Sequence, residues 1–250
     1  MLTHVLFLLF VALAVYVQGL TGFALSLVLL GLVGVTEVVS LTDAANAVTV
    51  LIAVNAGIFL YQRRSLRLDR SLWPAAAASL LGTLAGMAVL TVLAAGAYDV
   101  LRALLGVCIV GCALLLWGTP DPLPKVSPPR AFLTAGGLAG VLGGLFSAPG
   151  PPLVYLMYRQ PWPLARIQES LIFFFGIGAL LRLAVFAPTG LFSANAALLA
   201  AEAVPVVALV TPLTARYPAP FSPPTVKKLV CLLLVVAGAG MAGSAVLALV

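Results

Sequence analysis

The stretch "LFSAPGPPLVY", Leu145–Tyr155, packs three prolines and a glycine into four consecutive positions, Pro149-Gly150-Pro151-Pro152, inside the apolar run Ala131–Tyr158. Proline lacks an N–H and its ring clashes with the preceding turn, so no helix continues through this point unbroken. The surroundings make the break costly. Of 250 residues, 63% are hydrophobic and 8% charged, where a soluble domain carries roughly 25% charged residues. Apolar stretches of about 20 residues recur from end to end, each long enough to cross about 30 Å of hydrocarbon as a helix. The chain therefore reads as an all-α polytopic membrane protein with the lipid bilayer as its main surroundings.

Several function classes fall away. Met1-Leu2-Thr3-His4 has no basic n-region, so the N-terminus reads as the start of a membrane segment and not as a removable signal peptide. Cys108, Cys112 and Cys231 all sit in apolar runs with no His or carboxylate at ligand spacing, which reads as small buried hydrophobes and no metal. The net charge of +6 is scattered over loops, and no arginine–aromatic array suggests nucleic acid. No GxxxxGK[ST] loop is present, so no nucleotide cofactor is expected. His4 is the sole histidine, which removes HExxH zinc chemistry and a buried Ser-His pair; at the chain end it reads as a solvated residue. An intramembrane enzyme is disfavoured on these grounds.

Polar breaks divide the chain into eight apolar units: Leu2–Val35, Val38–Gln62, Leu72–Ala95, Val100–Gly118, Arg130–Tyr158, Leu164–Ala187, Asn195–Ala215 and Val226–Val250. The first and fifth are too long for one span and are interrupted, at Gly19-Leu20-Thr21-Gly22 and at Pro149-Gly150-Pro151-Pro152. A shift of 128 residues lays "TGFALSLVLL" (Thr21–Leu30) on "PGPPLVYLMY" (Pro149–Tyr158). The sequence thus reads as two membrane repeats, 1–124 and 125–250, joined by the proline-rich "GTPDPLPKVSPPR" (Gly118–Arg130).

Charge decides between two topologies. With eight plain spans in parallel repeats, the loop Lys and Arg residues divide six against six. If the first and fifth units are re-entrant hairpins, one side receives eleven of the thirteen: Arg63, Arg64, Arg67, Arg70, Lys125, Arg130, Arg159, Arg166, Arg216, Lys227 and Lys228. Basic loops mark the cytoplasmic side. The favoured fold is two inverted repeats, each a re-entrant hairpin plus three transmembrane helices, with both termini outside the cytoplasm.

Broken backbone in a membrane is tolerated where it lines a cavity. Pro151 or Pro152 fits the first turn of a new helix. The N–H groups of Leu153 and Val154 would then face a cavity, backed by the helix dipole, as an anion site. The first break supplies Gly19 and Gly22 for close backbone approach, hydroxyls from Thr21 and Ser26, and the neighbouring Phe23; Gln18 and Ser147 are further polar candidates. The glycines Gly136, Gly137, Gly140, Gly143 and Gly144 read as helix-packing residues. Ionisable groups within spans default to function. Arg182 could attract an anion or pair with Glu202 or Asp43, while Glu202, Asp43 and Glu169 are candidates for a coupling proton or for local ion pairs. Asn46 and Asn55 serve as interhelical hydrogen-bond glue or as ligand contacts.

Three patches, "QGLTGFALSLVLL" (Gln18–Leu30), "GLAGVLGGLFSAPGPPLVYLM" (Gly137–Met157) and "ARIQESLIFFFGIGALLRLAVFAPTG" (Ala165–Gly190), resemble the sulfite exporter TauE/SafE family, also called the 4-toluene sulfonate uptake permeases. The resemblance implies a bacterial cytoplasmic-membrane transporter of sulfur-containing anions such as sulfite or sulfonates, with the direction open. "TGFALS" departs from it by lacking the GFGGG-type glycine run of many relatives. The expected function is secondary transport of a small sulfur-containing anion, held between the Gly19–Ser26 and Ser147–Leu153 tips and driven by protons. A passive anion channel is the alternative.

Overall fold

In the computed structural model, residues 2–63, 69–93, 98–118, 122–187, 192–217 and 223–249 are described. They form ten α-helices: α1 Leu2–Thr21, α2 Leu25–Thr36, α3 Leu41–Arg63, α4 Trp73–Leu93, α5 Tyr98–Trp117, α6 Pro129–Phe146, α7 Pro151–Tyr158, α8 Leu164–Phe186, α9 Ala194–Arg216 and α10 Pro223–Leu249. Seven stretches among the described residues are long and apolar enough to cross a membrane. The chain is a multi-pass, all-helical membrane protein. Its exposed Leu, Val and Trp side chains face lipid, where apolar surface carries no penalty.

Side-chain contacts give the helix directions. His4 of α1 meets Glu202 of α9, and Gly19 meets Thr214, so α1 and α9 run parallel. Asp43 bonds Ser193 and Asn195, and Asn55 accepts from Thr211, so α3 shares that direction. Antiparallel to them, α8 places Gln168 against Leu20 and Gly176 against Ala56. The short α2 runs back to the end from which α1 began, where Arg102 at the start of α5 donates to the Gly34 carbonyl. The second break behaves alike: α6 descends to Ser147 beside Arg182, and α7 climbs back until Tyr158 donates to the Thr21 carbonyl. The first and fifth apolar units are thus each a long helix with a short one turned back on it, not one plain span.

One end of the bundle therefore holds the starts of α1, α3, α5 and α9 (the terminal face), and the other holds the starts of α4, α6, α8 and α10 (the basic face). Arg70, Lys125, Arg130, Arg159, Arg166, Arg216 and Lys228 lie at the basic face, whereas Arg64 and Arg67 fall outside the described residues.

Close packing of α4 on α6 fixes the central geometry. A Cβ placed on Gly136, Gly140 or Gly144 would lie 2.4, 2.2 and 2.2 Å from the carbonyl oxygens of Ala75, Ser79 and Thr83. Glycine every fourth residue removes the side chains along one stripe and lets the two backbones touch. The packing reading of these glycines holds, and its consequence is that Ser79 and Thr83 are pressed against the proline-bearing hairpin.

Candidate functional site

The second break is built by Ser147 as much as by the prolines. Ser147 caps α6 with φ 53, in the left-handed region that ordinary side chains avoid, and its N–H closes onto the Gly143 carbonyl. Close contact between Gly143 and Pro149 seats the following turn. The Ser147 hydroxyl lies 2.7 Å from Thr49 Oγ1, donates to the Ala45 carbonyl at 2.8 Å, and accepts from Arg182 Nη1. Its one hydrogen is thereby committed, and the Thr49 hydroxyl shares the same Ala45 carbonyl.

Arg182 is 3% exposed. Its guanidinium carbon lies 4.8 Å from the centre of the Phe186 ring, and its Nε–H is buried without a hydrogen-bond partner. Among the described residues no carboxylate lies within ion-pairing distance of it. The expected partners are engaged elsewhere: Glu202 meets His4 Nδ1 at 2.7 Å, and Asp43 accepts from Asn195 and Ser193 at the start of α9. His4 is thus half of an interhelical pair and not merely a solvated terminal residue. A buried cation with an orphaned donor is expensive unless something binds there.

Two cavities meet at Arg182. A vestibule of about 200 Å³ opens towards the terminal face, with exposed Thr42 and Thr91 at its rim and Leu105, Phe146 and Phe186 along its wall. On the other side of the guanidinium lies a central pocket of about 10 Å³, lined by Thr49, Ser79, Thr83, Ser147, Pro149 and Phe174 among others. That volume is roughly one water.

The geometry departs from the sequence reading in two ways. First, the tips do not share this pocket. Ser147 and Pro149 line it with Arg182, and none of Gln18, Gly19, Thr21, Gly22, Phe23 and Ser26 does. Gly22 (φ +86) packs against Gln168, and Gly19 against Thr214. Thr21 Oγ1 donates to the Val17 carbonyl, Phe23 stacks edge-on against Tyr158, and Gln18 Oε1 is buried without a donor. The α8 residues meeting the two tips, 168 and 182, are fourteen positions apart, about 21 Å of helix. Second, the new helix offers few free N–H groups. Pro151 and Pro152 have none, and Val154 N–H bonds the Gly150 carbonyl, which leaves Leu153 alone of the first turn. Gly150 packs on Leu27. The positive charge at this site comes from a side chain, not from a helix dipole.

Thr49, Ser79, Thr83 and Phe174 were not singled out by sequence, although hydroxyls at i,i+4 on an apolar helix (Ser79, Thr83) are a readable signal. Asn55, accepting from Thr211 at 2.6 Å, acts as interhelical glue. Glu169 lies one turn into α8 and away from the residues lining either cavity.

Ser147 tests what the turn and the hydroxyl each contribute. Glycine suits the left-handed position better than serine, whereas alanine keeps the strain. If the hydroxyl positions Arg182, Ser147→Gly and Ser147→Ala should both lower transport about tenfold, in keeping with about 1.5 kcal/mol for a hydrogen bond to a charged group. Full transport by Ser147→Gly would assign the residue to the turn alone.

A buried arginine of α8 thus lies beside the tip of a broken hairpin, between two cavities. A profile of the sulfite exporter TauE/SafE family matches residues 6–241. The chain belongs to this family. The resemblance carried by the three motif patches is borne out over nearly the whole length. A protein of Cupriavidus necator named "Probable sulfite/organosulfonate exporter TauE" is 32% identical over 230 residues, covering 90% of this chain and 88% of the relative. No solved structure matches the chain significantly. The TauE/SafE proteins are membrane exporters and not enzymes.

Proposed function

We propose that the protein is a secondary transporter that moves a small sulfur-containing anion, sulfite or an organosulfonate, across the bacterial cytoplasmic membrane, with Arg182 as the anion-binding group. The observation that carries this reading is the buried Arg182 guanidinium, with no carboxylate partner among the described residues and an orphaned Nε–H, set between the two cavities. A planar guanidinium matches two oxygens of a sulfonate or sulfite side by side. The hydroxyls of Thr49, Ser79 and Thr83 line the same pocket; those of Thr49 and Thr83 donate to the Ala45 and Ser79 carbonyls and would turn from them to meet an anion, and the printed name of the Cupriavidus relative supports the substrate class.

The reading includes two inverted repeats, 1–124 and 125–250, rocking about the site. Neighbour relations between the halves support it: α1 of the first half beside α9 of the second corresponds to α6 of the second beside α4 of the first, and α2 beside α10 to α7 beside α5. It also includes cytoplasmic placement of the basic face, by the positive-inside tendency, and coupling to a proton. Among the carboxylates Glu202 suits that role best, because it pairs across α1 and α9 with His4, the sole histidine of the sequence. A pocket the size of one water favours gated transport over an open channel.

The test is purified protein in proteoliposomes, assayed with sulfite, an aromatic sulfonate, sulfate and acetate under an imposed pH gradient. Accumulation of sulfite or the sulfonate above its electrochemical equilibrium is expected, with sulfate and acetate excluded. Simple equilibration of every anion would establish a channel instead.

A further inference from the structure

Three cavities lie in sequence along α8 and share lining residues. The vestibule and the central pocket have Arg182 in common. The central pocket and a third cavity, also about 10 Å³ and lined by Asp69, Leu72, Trp73, Ala76, Phe173 and Phe174, have Phe174 in common. Residues 174 and 182 are two helical turns apart, about 12 Å. The order from the terminal face is therefore vestibule, Arg182, central pocket, Phe174, third cavity, basic face. The first chamber admits an organic anion and neither of the others does. Among the described residues the row of cavities is wide towards the terminal face and narrow towards the basic face.

A polar contact lies just beyond Phe174. Arg166 Nη2 in the first turn of α8 donates to Asp69 Oδ2 at 2.8 Å, tying α8 to the Arg70–Leu72 3-10 turn that leads into α4. The Arg166 guanidinium also lies over Trp162, 5.1 Å from the ring centre. The Ser71 backbone N–H chiefly, with Arg166 adding to it, holds the Asp69 carboxyl below its usual range, so the pair stays charged at neutral pH. Both side chains are about one-third exposed, at 33% and 34%. An ion pair within reach of water is weak, as a contact made and broken in every cycle has to be. It joins the two helices whose side chains, Ser79 and Thr83 on one and Phe174 and Arg182 on the other, line the central pocket.

We propose that Phe174 is the gate between the anion site and the basic face, and that the Asp69–Arg166 pair is the clasp that holds this gate shut. Phe174 plugs the passage; parting of α4 from α8 at the clasp lets its ring swing aside and opens the central pocket to the basic face. The proposal rests on the transport reading, but its first test needs no substrate.

In a background with Cys108, Cys112 and Cys231 replaced by alanine, Ser79→Cys places one thiol in the central pocket. A membrane-impermeant methanethiosulfonate is applied to the basic face alone. Modification should be slow with the clasp intact and at least tenfold faster when Asp69→Asn or Phe174→Ala is added. An unchanged rate in both overturns the proposal. A thiol at the vestibule rim, Thr91→Cys, labelled from the terminal face, should react in every variant and so reports that the fold is intact. A second arm avoids folding effects altogether. Asp69→Cys with Arg166→Cys, joined by a short bis-methanethiosulfonate, should stop transport, and reduction of the link should restore it. Undiminished transport through the closed cross-link also overturns the clasp.

Discussion

Arg182→Gln is expected to lower transport at least a hundredfold while leaving the protein folded. Glutamine keeps much of the length of arginine and can still lie against Phe186, so packing changes little. The positive charge is lost, and with it the paired donors that face an oxyanion. Removing one partner of a buried, hydrogen-bonded charge pair costs about 2–5 kcal/mol, and about 2.7 kcal/mol is a hundredfold. Stability should hold or rise, because a buried charge with little compensation no longer has to be kept from water. Arg182→Lys retains the charge but not the planar fork, and should fall between the two. The measurement is initial uptake of the preferred anion into proteoliposomes, beside thermal unfolding in detergent. Transport by Arg182→Gln within a few fold of the parent would remove the arginine from the anion site.

Gly140→Ala should cost stability heavily, as a methyl driven into the backbone of the neighbouring helix at the molecule's centre. Its Cβ would fall 2.2 Å from the Ser79 carbonyl oxygen and 2.9 Å from the Ser79 Cα. Backbone atoms cannot rotate aside, so α4 and α6 must separate by about 1 Å, and the contacts at Gly136 and Gly144 open with them. Overpacking of this kind costs typically 1–3 kcal/mol, and weak C–H···O contacts along the seam are lost as well. Gly137→Ala, one position away, is the control: its Cβ would meet only Ala78 at 3.9 and 4.0 Å, and it should unfold at the parent temperature. Because Ser79 and Thr83 lie on the same seam and line the central pocket, Gly140→Ala should also depress transport. Equal melting temperatures for the two variants would mean that the seam is looser than it is drawn.

Much of the architecture was legible in advance because membrane folding obeys few, strong rules. Length and hydropathy located the long helices, and proline chemistry located the second break. The uneven loop charges indicated that the first and fifth units turn back, and the structure folds both as a long helix with a short one returning. The glycine ladder of α6 was readable as packing from its spacing alone. The site was less legible. Of the residues that sequence reasoning named, the structure brings Ser147, Pro149 and Arg182 together around one pocket. Sequence reasoning assigned the charge to the N–H groups of Leu153 and Val154, yet Val154 N–H is used within its own helix. It joined the two tips into one site because their motifs align, but similarity in sequence says nothing of depth, and the Gly22 tip lies against Gln168 instead. Thr49, Ser79 and Thr83 escaped notice because single hydroxyls in apolar helices are common, and only tertiary contact distinguishes them.

The contact between Ser147 and Arg182 has a consequence for the proposed transport cycle. Arg182 holds an oxygen supplied by the protein itself. Arrival of a sulfonate is then an exchange of one oxygen for others and not the first solvation of a naked charge. The unloaded carrier is correspondingly less strained when it changes which side it faces. On the proposed reading, a carrier built this way resets without cargo, which net export requires and obligatory one-for-one exchange does not.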